Sequence, residues 1–228
     1  MAIEKLEELK SLMRIPADAS KGTITQTFKR IAEVLMNGCI IKFQNEEYRI
    51  LDFEFYYYNK KHQDISVHPR NSKALCWYIN DFGGIDLNFE SKVDYVLIEK
   101  GKKKYYKYQL TDNSYFGGIL IRQIMRISDK VVFDGPLKVA DLFRILDATS
   151  QKQNNPVLEI RSSLDPIGTQ LSCKRHNLLG SKKDPKAKAD YNLQECFTEV
   201  SDSQRQKLET ELEAFAESPY RYYWKNKT

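Results

Sequence analysis

The sequence predicts an α+β fold, a single domain in which helices flank a mostly antiparallel sheet. The 228 residues are enough for one sizeable core, and a hydrophobic content of 41% suits a soluble globular chain. Segments with helical apolar spacing alternate with short runs of β-branched and aromatic residues. Short polar turns join these runs as in antiparallel hairpins, whereas a wound parallel sheet needs helical crossovers.

The N-terminal part of the chain carries two helix signals. Residues 3–14 place apolar side chains at helical spacing, and Pro16 follows as a stop signal. Residues 25–38 repeat the pattern, with Thr25 as a candidate N-cap and Asn37-Gly38 as a candidate C-cap.

Strand signals dominate the middle of the chain, and each is bounded by a polar or glycine-containing turn. They lie at 39–58 with a turn at 44–47, at 74–91 with a turn at 81–84, at 92–111 with a turn around Gly101, and at 115–127.

The last third mixes both types. We expect a helix over 136–146 opened by Pro136, a short strand at 157–161, surface loops over 165–188, a helix over 202–218 and an aromatic tail after it.

Several classes of protein are excluded by what the sequence lacks. No apolar run is long enough to cross a bilayer and the first residues are charged, so we expect a cytoplasmic protein. The four cysteines are far apart without C-x-x-C spacing, which favours reduced thiols over disulfides or zinc. His62 and His68 have no partner at metal spacing, so we expect surface or hydrogen-bonded histidines. The common nucleotide, phosphate, zinc-protease and acyl-transfer motifs do not occur.

Positive charge is concentrated in one part of the chain. The formal net charge is +5, and residues 91–130 carry nine Lys and Arg against four Asp and Glu. The stretch KGKKKYYKY within it mixes lysines with tyrosines. Nucleic-acid surfaces have this composition, and so do solvated hairpins.

One carboxylate is unusual for its surroundings. Glu54 lies in the aromatic run of residues 50–58, whose composition predicts a largely buried strand. Because a buried carboxylate without a partner is costly, Glu54 requires either a pairing residue or a function.

The segment IAEVLMNGCIIKFQNEEYRILDFEFY, residues 31–56, resembles the opening of the alkyladenine (3-methyladenine) DNA glycosylase family. In that family a helix, an L-G-x-x-L motif and a hairpin precede a strand with the motif E-T-E-A-Y; here the motif reads Asp52-Phe53-Glu54-Phe55-Tyr56. Further short matches follow in the same order over residues 25–224: ISVHPRN, WYINDFGGIDLN, GGILIRQI, GPLKVADLF and SPYRYYW.

The resemblance implies a hydrolytic site without metal or cofactor. Glu54 is the implied general base that activates the attacking water. Arg122, in the GGILIRQI match, is the implied active-site arginine that pairs with Glu54 or helps to hold water and phosphate. The resemblance assigns no lysine to Schiff-base chemistry, which implies hydrolysis without strand cleavage.

The same resemblance assigns a pocket for an extruded base. Tyr56, His68 and Tyr78 are the implied stacking residues, and Asn88 the residue that filters bases sterically. Phe82 is the implied wedge that fills the gap left in the duplex.

The resemblance also implies a domain organisation and a partner. A glycosylase-like domain with a curved sheet extends over 25–228, and 1–24 is an N-terminal helical extension. The implied partner is double-stranded DNA with a damaged purine, with single strands also possible, bound by a monomer and without a membrane. Residues 92–116 are an insertion relative to the family, and we expect the lysines there to contact the DNA backbone: Lys102, Lys103, Lys104 and Lys107.

Two alternatives remain open at the level of sequence. The chain is also compatible with a nucleic-acid-binding protein that has the fold and the stacking residues without turnover. It is also compatible with a structural or interaction domain in which Glu54 and Arg122 form a buried salt bridge.

Overall fold

The chain adopts an α+β fold with a curled antiparallel sheet shaped like half a barrel and helices packed against it. The structure is a computed structural model that describes residues 2–79, 83–143, 156–161, 164–175, 193, 196–198 and 201–226. The predicted fold class is thus confirmed. None of the helices in these ranges combines the length and apolar character that crossing a bilayer requires.

The helices in the described ranges are α1 (Ala2–Leu12), α2 (Lys21–Gly38), α3 (Pro136–Phe143) and α4 (Asp202–Ala216). The prediction of Thr25 as the N-cap of α2 is wrong, because the helix begins at Lys21. Ser20 is the N-cap, and its hydroxyl accepts a hydrogen bond from the Thr23 amide at 3.2 Å. The predicted domain boundary at residue 24 therefore lies inside a helix.

The strands are β1 (Cys39–Phe43), β2 (Glu46–Asn59), β3 (His62–Gln63), β4 (Trp77–Ile79), β5 (Ile85–Asn88), β6 (Asp94–Lys100), β7 (Lys103–Gln109), β8 (Phe116–Arg126), β9 (Val132–Asp134), β10 (Val157–Ile160), β11 (Gly168–Cys173) and β12 (Arg221–Asn226). The main sheet follows the order β10-β1-β2-β8-β5-β4, and β12 adds to β2 and β11 to β12. Strands β6 and β7 form a separate two-stranded sheet.

Strand β2 organises the main sheet. Strand β8 pairs along one edge of β2, whereas β1 and β12 share its other edge. β1 takes the first residues of β2 and β12 pairs with Asp52–Glu54. The register between β2 and β8 also shifts between Ile50 and Phe53, and such irregularities bend and twist a strand.

Two predictions for the C-terminal part are wrong. The span 165–188 was expected to form loops, yet it contains β11, and the expected aromatic tail is strand β12. The cause is tertiary pairing, since the backbone of β12 completes the free edge of β2. Tyr222 of β12 also stacks on Phe53 of β2, with ring centroids 6.0 Å apart.

The apolar core lies between α2 and one face of the sheet. Phe28 of α2 stacks on Phe55 of β2, with ring centroids 4.3 Å apart, and also packs against Phe89. Leu9 and Met13, in and just after α1, are fully buried in the same core. Each such side chain contributes about 1.5–3 kcal/mol by its burial.

His62 belongs to this core, as a hydrogen-bonded histidine. Its ring is fully buried, Nδ1 donates to the Tyr57 carbonyl at 2.7 Å, and Nε2 lies 3.0 Å from the Tyr220 hydroxyl. Burial lowers the pKa of His62 to about 4, although the Asp64 carboxylate opposes this. The imidazole is therefore neutral at pH 7 and accepts the Tyr220 hydrogen bond through Nε2.

The pKa of His62 predicts a loss of stability in acid. Because the folded-state pKa lies below the ordinary 6.5, its contribution is complete above pH 6.5 and is lost as the pH falls towards 4. The shift corresponds to about 3 kcal/mol. Between pH 6.5 and pH 4, the free energy of unfolding measured with urea should therefore fall more for the wild type than for His62→Gln. Equal pH dependence of the two proteins would contradict the assignment.

Candidate functional site

Strand β2 presents different chemistry on its two faces. Phe53 and Phe55 contribute to the aromatic core, whereas Asp52, Glu54 and Tyr56 alternate with them on the opposite face. Both faces are buried along this part of the strand. The opposite face is thus a buried polar layer, which we call the polar face.

The pairing register brings residues from distant parts of the sequence onto the polar face. Glu54 of β2 is directly opposite Leu120 of β8, Leu120 is opposite Asp86 of β5, and Asp86 is opposite Tyr78 of β4. Directly paired residues point to the same side of a sheet. Glu54 and Tyr78 therefore lie on the same face, three strands apart.

Glu54 has the partners that its burial requires. Its side chain is fully buried, and its Oε2 accepts a hydrogen bond from the Tyr56 hydroxyl at 2.8 Å. Arg122 Nη1 lies 3.4 Å from the same oxygen. The pKa of Tyr56 is well above its usual value because of burial and the adjacent Glu54 carboxylate. Tyr56 therefore stays protonated and acts as the donor.

A β-bulge positions Arg122. Phe53 pairs with Ile121 and Asp52 pairs with Gln123, so Arg122 is an additional residue on β8 opposite this part of β2. Bulges redirect a side chain relative to the regular alternation. This one places the guanidinium between the carboxylates of the polar face, with Nε 4.0 Å from Asp52 Oδ2.

Asp52 has its own arginine partner. Arg221 of β12 donates to both carboxylate oxygens through Nε at 3.0 and 3.1 Å, and through Nη2 to Oδ2 at 2.5 Å. Burial raises the pKa of Asp52 above its ordinary value, although Arg221 and Arg122 lower it. Asp52 and Arg221 also line a cavity of about 590 Å³, which reaches this end of the polar face.

A second, fully buried ion pair packs against the ring of Tyr56. Arg175, just after β11, lies 2.6 Å from Asp64 through Nη1, and both side chains are completely buried. The same guanidinium is 4.6 Å from the centroid of the Tyr56 ring. Arg175 thus fixes the ring of a proposed stacking residue.

The structure brings His68 and Tyr78 together. Their rings are nearly parallel, at 26°, with centroids 6.2 Å apart. Arg70 lies 4.3 Å from the Tyr78 ring and pairs with Asp86 at 2.8 Å, and both partners are almost fully buried. Cys196 contributes a further contact, with Sγ 3.7 Å from His68 Nδ1.

Asn88 lies on the same face beside Tyr56. Gly118 of β8 is paired with both residues and separates them. A Cβ at position 118 would clash with the Arg70 guanidinium, so a glycine lets Arg70 approach the sheet closely. Asn88 is buried, and its Nδ2 donates to the Ser72 hydroxyl at 2.7 Å.

The remaining residues assigned from the sequence lie elsewhere. Lys102, Lys103 and Lys104 are exposed at and beside the turn of the β6–β7 hairpin, and Lys107 is half-buried on β7. Phe82, the expected wedge, lies outside the described residues. In the described ranges, no group of three or more His, Cys, Asp and Glu side chains could hold a metal ion.

A basic cleft of about 720 Å³, not expected from the sequence, opens beside Ser72. Its charged lining consists of Lys10, Arg14, Lys73, Lys92 and Glu90. Arg14 Nε lies 2.9 Å from Glu90 and neutralises this carboxylate. Since Ser72 also lines the cleft and accepts the Asn88 hydrogen bond, the cleft adjoins the Asn88 end of the polar face.

Sequence reasoning missed the three arginines that organise this site: Arg70, Arg175 and Arg221. For Arg70 a signal was present, because it is the arginine of the matched triplet Pro69-Arg70-Asn71. Arg221 likewise lies in a matched stretch, SPYRYYW, although 169 residues separate it from Asp52. Arg175 lies 111 residues from Asp64, and no matched stretch contains it.

Comparison with known proteins yields one informative similarity. The chain is 28% identical over 115 residues to Uncharacterized protein L759 of Acanthamoeba polyphaga mimivirus. The match covers 48% of this chain and 52% of the viral protein, so the chain spans about half the length of the relative it matches. No protein-family model matches the chain, and no solved structure matches it.

Proposed function

We propose that the chain is a divergent relative of the alkyladenine DNA glycosylases that hydrolyses the N-glycosidic bond of a purine extruded from DNA. One observation carries the proposal. Glu54 lies between the Tyr56 hydroxyl and the Arg122 guanidinium, on the same face of the sheet as Tyr78 and Asn88. These residues come from four strands, and the resemblance had assigned all of them to one site.

The proposed reaction uses Glu54 as a general base. Glu54 takes a proton from a water molecule whose oxygen forms the new bond to C1′ of the sugar. The N-glycosidic bond breaks with its electron pair going to the purine. A purine alkylated on a ring nitrogen already carries positive charge and leaves as a neutral base. The negative charge of Glu54 also stabilises the positive charge that develops on the sugar.

The aromatic residues suit the substrate class. Tyr56, His68 and Tyr78 lie on or beside the polar face, and aromatic faces attract planar cations. Arg70 lies within cation–π distance of the Tyr78 ring, and Arg175 lies within the same distance of the Tyr56 ring. A cationic purine presents the same kind of positive charge to such rings as these guanidinium groups do.

Two basic surfaces are available for the DNA backbone. The cleft lined by Lys10, Lys73 and Lys92 adjoins the Asn88 end of the site, and the hairpin turn carries Lys102–Lys104. Phosphate contacts from such lysines give sequence-independent, salt-sensitive binding, which is what an enzyme that scans DNA requires.

The proposal is tested by free-base release. Duplexes with alkylated or deaminated purines are incubated with the protein, and released bases are separated by chromatography. We expect release from at least one alkylated purine, with an abasic site left in an unbroken strand. Matched single strands show whether duplex DNA is required. Binding without release from any member of the panel would contradict the proposed enzyme.

One observation favours the alternative of a structural domain. The carboxylates Asp52, Glu54, Asp64 and Asp86 each lie within ion-pair distance of an arginine, so their burial is compensated without a ligand. In that case the protein should neither release a base nor bind DNA more tightly than other proteins of its charge.

A further inference from the structure

The β6–β7 hairpin has features that the proposed catalytic site does not use. It is a two-stranded sheet separate from the main sheet, tied to residues 197–198 at its base through Tyr108. Such a hairpin is marginally stable alone, and exposed aromatic side chains on it are costly unless they serve a partner.

One face of the hairpin exposes a compact apolar surface. Tyr95 is 58% exposed, Leu97 45% and Tyr106 64%. The register places Leu97 directly opposite Tyr106, and the rings of Tyr95 and Tyr106 meet edge to face with centroids 5.2 Å apart. Tyr95, Leu97 and Tyr106 therefore form one contiguous patch, which we call the tyrosine face.

Positive charge is concentrated at the turn of the hairpin, at one end of the tyrosine face. The hairpin strands and their turn contain five lysines against two carboxylates. One of these carboxylates, Glu99, pairs with Lys104 at 2.6 Å. Lys100, Lys102 and Lys103 are exposed at the turn.

We propose that the tyrosine face is a stacking platform for single-stranded nucleic acid, with the lysines at the turn contacting its phosphates. Exposed aromatic rings on a sheet, next to a turn rich in lysines, provide the two contacts that sequence-tolerant single-strand binding uses. Tyr95 and Tyr106 lie diagonally across the two strands with their rings in contact, so one strand of nucleic acid can reach both rings.

Charge and aromatic content together select this occupant. An apolar protein partner would pack on the tyrosine face but would make no ionic contact with the lysines. A nucleic-acid strand contacts the rings with its bases and the lysines with its phosphates. The inference rests on the proposed function in one respect only, namely that the ligand is a nucleic acid. It concerns a surface formed by the insertion, whereas the proposed catalysis concerns the polar face.

Fluorescence anisotropy with labelled oligo-dT tests the platform. Tyr95→Ser/Tyr106→Ser should weaken binding about tenfold or more at every salt concentration and leave the salt dependence unchanged, because no phosphate contact is lost. Lys102→Gln/Lys103→Gln should weaken binding mainly at low salt and flatten the salt dependence. Tyr95→Phe/Tyr106→Phe retains the rings and should bind like the wild type.

Several outcomes would overturn the platform. Unchanged oligo-dT affinity of the serine double variant would do so, and so would an equal loss in the phenylalanine double variant. Tyrosine-dependent binding to vesicles containing phosphatidylserine, without oligo-dT binding, would replace the inference with a membrane contact. Because base release from duplex DNA is measured separately, its absence would leave the oligo-dT result interpretable.

Discussion

Glu54→Gln is expected to lower base release by about a hundredfold to ten-thousandfold, the range for loss of a general base, while duplex affinity stays unchanged. Glutamine has the shape of glutamate, and its carbonyl can still accept the hydrogen bond from Tyr56. It cannot take a proton from water. Single-turnover release, with excess protein over DNA, measures the chemical step, and anisotropy measures the binding.

Asp52→Asn is the matched control for this prediction. Asp52 also lies on the polar face of β2, but its carboxylate is held by Arg221. Its neutral variant should therefore release bases faster than Glu54→Gln. An equal loss in both variants would contradict the assignment of Glu54 as the base, and thermal unfolding of each variant shows whether either loss reflects misfolding.

Arg175→Met is expected to have the largest effect on stability, about 3–5 kcal/mol of unfolding free energy. Arg175 and Asp64 are fully buried with 2.6 Å between their charged atoms, so removing the arginine leaves Asp64 charged in a dry interior. Arg175 also donates to the backbone carbonyl of Phe55 at 3.2 Å, and that carbonyl would lose a partner. Urea unfolding measures the difference.

Lys104→Met provides the comparison for Arg175→Met. The Lys104–Glu99 pair is also 2.6 Å long, but both side chains are more than half exposed. Water screens such a pair, so this substitution should change stability by at most about 1 kcal/mol. If Arg175→Met were equally mild, the buried pair would not stabilise the fold and Tyr56 would lack the support proposed for it.

The elements that follow from local patterns were predictable from the sequence. Strand β8 has a dense β-branched pattern, and the β6–β7 hairpin has Gly101 in its turn at a positive φ of 63°. Helix α2 was predicted, but its first residue was not, because Ser20 and Thr25 are both residue types found at N-caps and local sequence does not choose between them. Strand β12 was missed because its formation depends on the free edge of β2, a property of the fold and not of the segment.

The residues of the candidate site also divide into those that the sequence motifs indicated and those that they did not. The motif around Glu54 and the order of the later matches placed Glu54, Arg122 and Tyr56 in one site, and the structure brings these three together. No motif contained Arg175, and the SPYRYYW match contained Arg221 without assigning it a role. Both arginines reach β2 through the pairing of β11 with β12 and of β12 with β2.

A crystal structure of Glu54→Gln bound to a duplex that contains an alkylated purine tests the site most directly. We expect the purine outside the stack, in contact with the rings of Tyr56 and Tyr78, and its glycosidic bond within reach of a water held by residue 54. A duplex bound only at the basic cleft or the hairpin, with its purine still paired, would contradict the proposed site.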